Sequence, residues 1–530
     1  MPAIITDNFR VARASEFVSD IYSENNVYYA IVGLTNPEEY SSDWDESPLN
    51  PRDSIDKMND IWDTGISMSK ILTGDARQVV RKITWESGTT YDMYRHDVTI
   101  DNLSSTSKTS LYSSNYYVVN QDFKVYVCLD NGASPENNFK GNPSLDEPNF
   151  VDLEPKSAGA SGDGYIWKYL FTISPSDVIK FDSIFYVTTP QNWSTDSEFQ
   201  AIRNHALTSG QIKIVKIKNR GISVLPQGTY TSVPIRGDGS GAECTVVVNA
   251  QQKIDSVSVS NGGSMYTFGT LDLSDLIDTN TIVEYPEFDV IIPPSGGHGY
   301  DIYKELGATA VLLYTKIENN AQNPDFITGN KIARIGIVKN PKQYTGLGPE
   351  NSNEVLVDPT IGATYALKLD GNFGNVNFSA NSFITQTVET DKIAVGRVVS
   401  YNKNTGVLKY WQDRRLVGFN TDGTKVSSPT YGFQLHRFTG TPQSGGDLKI
   451  YSDGVDTGLT IDSDFGTTAN PATTYTTINN VTYQLGQSFI KGTSNPEVEK
   501  YSGDIIHVDN RPSITRSSSQ KEYIKVIIQY

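Results

Sequence analysis

Cysteine is almost absent from this sequence of 530 residues: Cys128 and Cys244 are the only two. Each lies in a run of alternating or β-branched residues that is typical of a strand, KVYVCLD and AECTVVV. Cysteines in such runs are usually buried small hydrophobes rather than partners in a disulfide or a metal site. We therefore expect two buried, unpaired thiols.

Long hydrophobic runs are also missing. The densest ones, AIVGL at 30–34 and ATAVLL at 308–313, end after five or six residues, whereas a transmembrane helix needs about 20. The first residues, MPAIITDNFR, show no cationic start followed by an apolar stretch and a cleavage site. We expect synthesis in a cytoplasm and no insertion into a membrane.

Positive charge is in short supply, since the formal net charge is -17. Affinity for nucleic acid depends on cationic groups that neutralise phosphates. The lysines at 213, 216 and 218 alternate with Ile214 and Ile217, as on an exposed strand edge. Nucleic acid is therefore not an expected partner.

Motifs that carry chemistry are incomplete. Zinc sites need ligands at close spacing, but no two of the five histidines lie within ten residues of each other. The histidines are His96, His205, His298, His436 and His507. The acidic turns 453–456 and 462–466 lack the closing glutamate of a calcium loop, and GDGSGA at 237–242 lacks the lysine of a P-loop. We predict no catalytic residue, no metal and no cofactor.

What the sequence does contain is turn and strand formers: 43 glycines, 24 prolines and 30 tyrosines. This composition favours many short strands over long helices. In GDGYIWKYLFTI, residues 162–173, the aromatic rings fall on one strand face while Ile166 and Leu170 fall on the other. We predict a strand buried on both faces, because the two glycines precede a strand and not the helix that a phosphate loop requires.

Other elements follow from periodicity. One helix is predicted after a possible Ser15 cap, and another is predicted near 51–62. Strands are predicted across 79–187. A hairpin is predicted at 396–411, with its turn at 402–406, and a mobile loop at 466–477. A weak repeat, VKIKNRG at 215–221 and VSVSNGG at 257–263, predicts duplicated hairpins. The closing stretch EYIKVIIQY predicts a terminal strand that is paired in a sheet.

Three segments, in the same order, resemble one protein family. GDGYIWKYLFTI, GNKIARIGIVKNP at 329–341 and YSGDIIHVDNRPSITRSSSQKEYIKVIIQY at 501–530 are similar to the baseplate wedge proteins encoded by gene eight of T-even-like contractile-tail phages. The resemblance covers residues 1 to about 205, roughly 297–345 and about 495–530, and DNRPSITRSSSQKE is its most specific piece. It implies a three-layer β-sandwich with helices in two side loops, usually a homodimer in the virion's tail baseplate. The implied partners are itself and neighbouring wedge subunits such as the products of genes six, seven and ten.

The chain is longer than that family, which suggests inserted domains. The expected fold is mainly β, a multi-layer β-sandwich scaffold with a few short helices in side loops and inserted small β domains. The expected segments are 1–205 (amino-terminal scaffold), 206–296 (inserted β unit with a hairpin repeat), 297–355 (scaffold continuation), 356–495 (inserted β domain) and 496–530 (carboxy-terminal scaffold strands).

The resemblance and the missing motifs favour a non-enzymatic structural subunit. Trp44, Asp45 and Glu46, in the acidic stretch SSDWDES, are a candidate partner contact, with a solvated loop as the alternative. A second hypothesis is a carbohydrate- or receptor-binding tail protein whose tyrosine-rich loops stack on sugar rings. A third is a hydrolase of the cell envelope carried on a tail: no motif supports it, but the 61 Asp and Glu residues offer too many combinations for the sequence to decide on a carboxylate pair.

Overall fold

The protein was analysed as a computed structural model. It describes residues 3–530 except 36–43, 207, 277–281, 319–323, 325, 328, 413–435, 472–473, 516 and 518–520, and it describes only the backbone of Asp56. The described chain is mainly β, with several sheets and few helices, as the sequence predicts. Its α-helices are α1 (Asp7–Tyr22), α2 (Ile55–Met58), α3 (Asp60–Thr64), α4 (Pro175–Phe181), α5 (Gln200–Ala206) and α6 (Ile302–Leu306).

The strands of the first half of the chain are β1 (Tyr28–Gly33), β2 (Gly65–Lys70), β3 (Ala76–Arg81), β4 (Tyr117–Val119), β5 (Lys124–Asn131), β6 (Tyr165–Thr172), β7 (Tyr186–Thr188), β8 (Val215–Asn219), β9 (Gly228–Gly237), β10 (Ser240–Val248), β11 (Ile254–Ser264), β12 (Gly269–Leu271) and β13 (Glu287–Val290). Those of the second half are β14 (Ala310–Glu318), β15 (Lys331–Lys339), β16 (Thr360–Gly362), β17 (Tyr365–Asp370), β18 (Phe383–Glu389), β19 (Lys392–Asn402), β20 (Val407–Trp411), β21 (Lys449–Ser452), β22 (Val455–Ile461), β23 (Tyr475–Ile478), β24 (Val481–Gln484), β25 (Thr493–Ser494), β26 (Asp504–Thr515) and β27 (Lys521–Gln529).

The chain divides into two compact units, each assembled from segments distant in sequence. The first comprises Met1–Val18, Arg77–Leu312 and Ile527–Tyr530, and the second comprises Ser19–Ala76 and Leu313–Val526. The finer division into five segments stays a prediction.

The first unit has an aromatic core around the three-stranded sheet β4-β5-β6. Trp167 is fully buried and stacks on Tyr165, with the ring centroids 5.3 Å apart. On the opposite face of β6, Leu170 is fully buried and Lys168 is 2% exposed. The prediction of a strand buried on both faces is confirmed.

The glycines before β6 make a turn, as expected. Gly164 has a φ of +88°, a left-handed conformation that side chains disfavour. A Cβ there would also come 3.0 Å from the Cα of Gly132. Glycine at this position therefore allows the turn that leads into the core strand β6.

The two copies of the repeat, at 215–221 and 257–263, share a local hydrogen bond but differ in how their strands pair. The side-chain oxygens of Asn219 and Asn261 accept hydrogen bonds from the N–H groups of Gly221 and Gly263, at 2.9 and 3.0 Å. The first copy ends β8 in a turn, whereas the second lies inside β11, which continues to Ser264. Moreover, β8 pairs with β13 and β11 pairs with β10, so the predicted strand end at the second copy is wrong.

Helix α1 begins at Asp7, and Ser15 lies in its middle instead of capping it. The start follows Thr6, whose hydroxyl accepts a hydrogen bond from the N–H of Phe9 at 3.4 Å. Val11, Ala14 and Ile21 form its buried stripe. The predicted start was wrong because the first two turns, DNFRVAR, are mostly polar and show little of that stripe.

The second unit contains a five-stranded sheet, β16-β2-β1-β15-β26, and a seven-stranded sheet, β20-β19-β18-β21-β22-β17-β25. Every residue of the central strand β1 is buried. The predicted hairpin is confirmed, since β19 and β20 pair and the N–H of Gly406 donates to the carbonyl of Asn402 at 2.9 Å. Of the loop predicted at 466–477, residues 472–473 lie outside the described residues. Residues 475–477 instead belong to β23, which pairs with β24.

The terminal strand β27 lies beside β14 in its sheet. The N–H of Tyr530 donates to the carbonyl of Thr309 at 3.1 Å, and the rings of Tyr523 and Tyr314 stack with centroids 5.9 Å apart. Pairing of the terminal strand is therefore confirmed.

Candidate functional site

Reactive side chains do not converge within the described ranges. There, no three His, Cys, Asp or Glu residues gather closely enough to hold a metal ion, and no helix is both long and apolar enough to cross a bilayer. His298 is buried and its Nδ1 lies 2.7 Å from Oε1 of Glu305. Because Glu305 also accepts a hydrogen bond from the N–H of Gly299, this pair holds the turn before α6.

The two cysteines are buried and unpaired, as expected from the sequence. Burial raises the pKa of the Cys128 thiol well above its usual value. Burial likewise raises the pKa of Cys244 to about 12. Since the thiolate is the reactive form, neither residue is a nucleophile in the folded protein.

Trp44, in the candidate partner contact, packs inside the protein, and we call its contacts and those of Asp45 with β26 the clamp. The Trp44 ring is only 5% exposed, and its Nε1 donates to the carbonyl of Arg511 at 2.8 Å. The guanidinium of Arg334 lies over the ring, 5.8 Å from its centroid. The alternative of a solvated loop is therefore wrong for Trp44, although Asp45 and Glu46 are exposed.

Asp45 completes the clamp. Its Oδ1 accepts hydrogen bonds from the N–H of Ser513 at 2.9 Å and from the hydroxyl of Ser513 at 2.5 Å. These bonds, with a smaller effect from Lys331, hold the pKa of the Asp45 carboxyl below its usual value. Asp45 thus stays ionised across the neutral range.

The clamp protects a sheet edge. Among the described strands, β26 is the last of its sheet, and a strand at a sheet edge can pair with another chain. The register between β15 and β26 shifts between Ile332 and Arg334, which oppose Ile514 and Asn510. Trp44 and Asp45 satisfy backbone groups at this irregular stretch, so the protein covers part of β26 with its own chain.

A groove of about 790 Å³ lies beside the clamp, between β26 and the stretch that leads into α2 and α3. Its lining mixes apolar side chains with ions of both signs: Leu49, Pro51, Arg52, Asp53, Lys57, Met58, Asp60, Ile61, Arg334, Ile505, Ile506, His507, Val508 and Asn510, with Asn50. Burial lowers the pKa of His507, which favours its neutral form. This mixture fits a protein surface better than a small reactive substrate.

A second surface was missed from the sequence. Ile179, Ile184 and Phe185, which we call the α4–β7 patch, are 75%, 84% and 73% exposed. Patches of large apolar side chains on otherwise well-packed proteins commonly mark interaction sites. The strands predicted across 79–187 include the run IFYVTT at 184–189, but β7 begins only at Tyr186. Three large apolar residues near the end of α4 were the sequence signal that could have revealed the patch.

These features define a class: a mainly β protein with several sheets and a few short helices. Residues 3–147 match the family model Phage-Gp8, described as "Bacteriophage T4, Gp8". A curated relative, "Baseplate wedge protein gp8" of Enterobacteria phage T4, is 24% identical over 212 residues, which are 36% of this chain and 60% of the relative. The resemblance inferred from the sequence is confirmed, and the chain is gp8-like over this region, although it spans less than two thirds of that relative's length.

Proposed function

We propose that this protein is a structural subunit of a baseplate wedge in a contractile phage tail. It resides in the virion and acts by protein–protein contacts during baseplate assembly and rearrangement, without catalysis. The observation that carries the proposal is the match of residues 3–147 to the Phage-Gp8 family. The aromatic core of the first unit, with Trp167 fully buried, supplies the rigid support that such a part needs.

The proposed partners are a second copy of the chain and neighbouring wedge proteins. The three side chains of the α4–β7 patch expose roughly 400 Å² of apolar surface, if a fully exposed side chain of this size presents about 180 Å². That is about half of the 800 Å² or so that each partner contributes to a stable interface. The patch therefore suits the apolar centre of an interface that a polar rim completes.

The segment Trp44–Glu46 is the second contact in this proposal. Trp44 anchors the segment from inside, and Asp45 and Glu46 are exposed. Charged groups at an interface rim influence association rate and specificity more than affinity. We assign this segment to the rim of a contact with a neighbouring wedge subunit.

The domain organisation follows from the same proposal. Segments 1–205, 297–355 and 496–530 form the wedge scaffold, and segments 206–296 and 356–495 are insertions that enlarge its contact surface.

The test is complex formation between the purified full chain and its wedge neighbours, measured by size-exclusion chromatography with light scattering. Ile184→Asp is expected to weaken self-association or complex formation by more than tenfold, because it replaces the most exposed apolar side chain of the patch with a charge. Ile100→Asp is the matched control, since Ile100 is 75% exposed and lies outside the patch. If the parent chain is monomeric and binds no wedge neighbour, the proposal fails.

A further inference from the structure

A polar cleft in the second unit is not accounted for by the proposed function. It has a volume of about 490 Å³ and is formed by residues 343–344, which follow β15, by Asp358, which precedes β16, and by the stretches 439–441 and 488–497. Its size falls within the range typical of small-molecule sites.

The framework of the cleft is fixed by hydrogen bonds. The N–H of Tyr344 donates to the carbonyl of Glu497 at 3.0 Å, and the N–H of Gly362 donates to Oε2 of Glu497 at 2.7 Å. The hydroxyl of Tyr29 donates to the carbonyl of Asp358 at 2.7 Å. A site held this firmly is preorganised, so a ligand does not have to order it on binding.

Close backbone contact fixes the opposite wall. A Cβ on Gly440 would lie 1.8 Å from the carbonyl oxygen of Lys491. Glycine at 440 therefore lets two loops approach each other and position Thr441 and Lys491 along the cleft.

The lining selects a chemical class of ligand. Most lining side chains donate or accept hydrogen bonds, and the apolar ones apart from Tyr344 are Ile490 and Pro496. The lining contains two acidic residues, Asp358 and Glu497, and one basic residue, Lys491, so its net negative charge disfavours phosphate, sulfate and acidic sugars. A lipid tail or an aromatic drug-like ligand would desolvate these polar groups without forming hydrogen bonds to them.

Tyr344 adds an aromatic platform. It is 36% exposed at the cleft, and burial raises the pKa of its hydroxyl, so that the ring stays neutral. Aromatic rings with a polar edge suit ligands that have one apolar face and several hydroxyl groups. A pyranose ring has both, because its C–H groups lie on one face and its hydroxyls at the rim.

We propose that this cleft binds a neutral saccharide, whose ring stacks on Tyr344 and whose hydroxyls bond to Asp358, Asn495 and Glu497. The site gives the chain a carbohydrate-recognition role that is separate from wedge assembly. It requires no chemical step and no cofactor.

The experiment is a glycan array with the full-length protein, followed by calorimetric titration of the best neutral oligosaccharide. Tyr344→Ala and Asn495→Ala are each expected to weaken binding about tenfold or more. Asn495 is exposed, so that its truncation tests the site even if the tyrosine variant folds poorly. The matched control is Tyr475→Ala, because Tyr475 is 49% exposed and lies outside the cleft.

Each outcome either supports or overturns the proposed saccharide site. Loss of binding in both variants, with the control unchanged, supports the cleft as the site. Absence of binding to every neutral glycan, equal binding by parent and variants, or a preference for acidic glycans would overturn the proposal. Complex formation with wedge neighbours is measured in parallel, and because the cleft variants leave the α4–β7 patch intact, failure here is distinct from failure of the wedge function.

Discussion

Lys500 is a buried cation whose proton makes the stability of the second unit depend on pH. It is 6% exposed, and its ammonium donates to the carbonyls of Trp62 at 2.8 Å and of Asp63 at 3.4 Å. Burial lowers the pKa of Lys500 to about 7, with Asp63 opposing this shift and Arg437 adding to it. The Tyr365 ring lies 5.3 Å from the ammonium.

The sign follows from comparing the two states. An unfolded lysine has a pKa near 10.5, so below pH 7 both states carry the proton and the burial penalty is complete. Between about pH 7 and 10 the folded chain has released the proton while the unfolded chain still holds it. The contribution of Lys500 to the free energy of unfolding therefore rises with pH, by up to about 1.4 kcal/mol per pH unit.

The perturbation is Lys500→Met, which keeps the length of the side chain and removes the charge. The variant loses the hydrogen bond to the Trp62 carbonyl, at a cost of about 1–3 kcal/mol, but this cost does not change with pH. Subtracting the parent's free energy of unfolding from the variant's removes the titrations that both share. From pH 7 to 9 the variant is expected to lose about 2–3 kcal/mol in its free energy of unfolding relative to the parent.

The assay is urea unfolding of parent and variant at several pH values between 7 and 9, followed by tryptophan fluorescence. Lys403→Met is the control, because Lys403 is exposed and its variant is expected to keep a constant difference from the parent. A Lys500→Met difference that stays flat over this range would show that Lys500 keeps its proton in the folded protein, and the reasoning from burial would be refuted.

Two further predictions concern the core. Trp167→Ala is expected to lower the free energy of unfolding by about 3–5 kcal/mol, because Trp167 is fully buried between Tyr165 and Tyr91; thermal unfolding checks this, and a loss below about 1 kcal/mol would contradict the packing. Cys128 and Cys244 are expected to react with a thiol reagent only after denaturation, because both are buried; rapid labelling of the native protein would contradict their burial.

Local periodicity was sufficient to predict elements whose whole signal lies in one stretch. Strand β6 and the hairpin of β19 and β20 were predicted correctly because alternation and turn residues depend only on neighbours. The start of α1 was missed since its first turns bury Val11 and Ala14 among mostly polar residues. No short-range pattern distinguishes that case from a polar loop.

Burial that depends on distant residues could not be predicted. Trp44 is buried through Arg511, which lies 467 positions away, so the stretch SSDWDES resembles a solvated acidic loop in the sequence. The polar cleft could not be predicted for the same reason, because Tyr344, Asp358 and Glu497 come from separate loops and form no motif. The resemblance to the gene-eight family, in contrast, depends on the sequence alone.

The protected edge of β26 bears on how this scaffold binds. A partner that added a strand beside Arg511–Ser513 would first have to displace Trp44 from the Arg511 carbonyl and Asp45 from Ser513. The α4–β7 patch needs no such exchange, since its three apolar side chains are already exposed. Apolar burial at the patch gains about 25 cal/mol per Å², whereas strand addition at the clamp begins with the loss of hydrogen bonds. For the proposed contact with wedge neighbours, side-chain docking at the patch is therefore favoured over strand addition at the clamped part of β26.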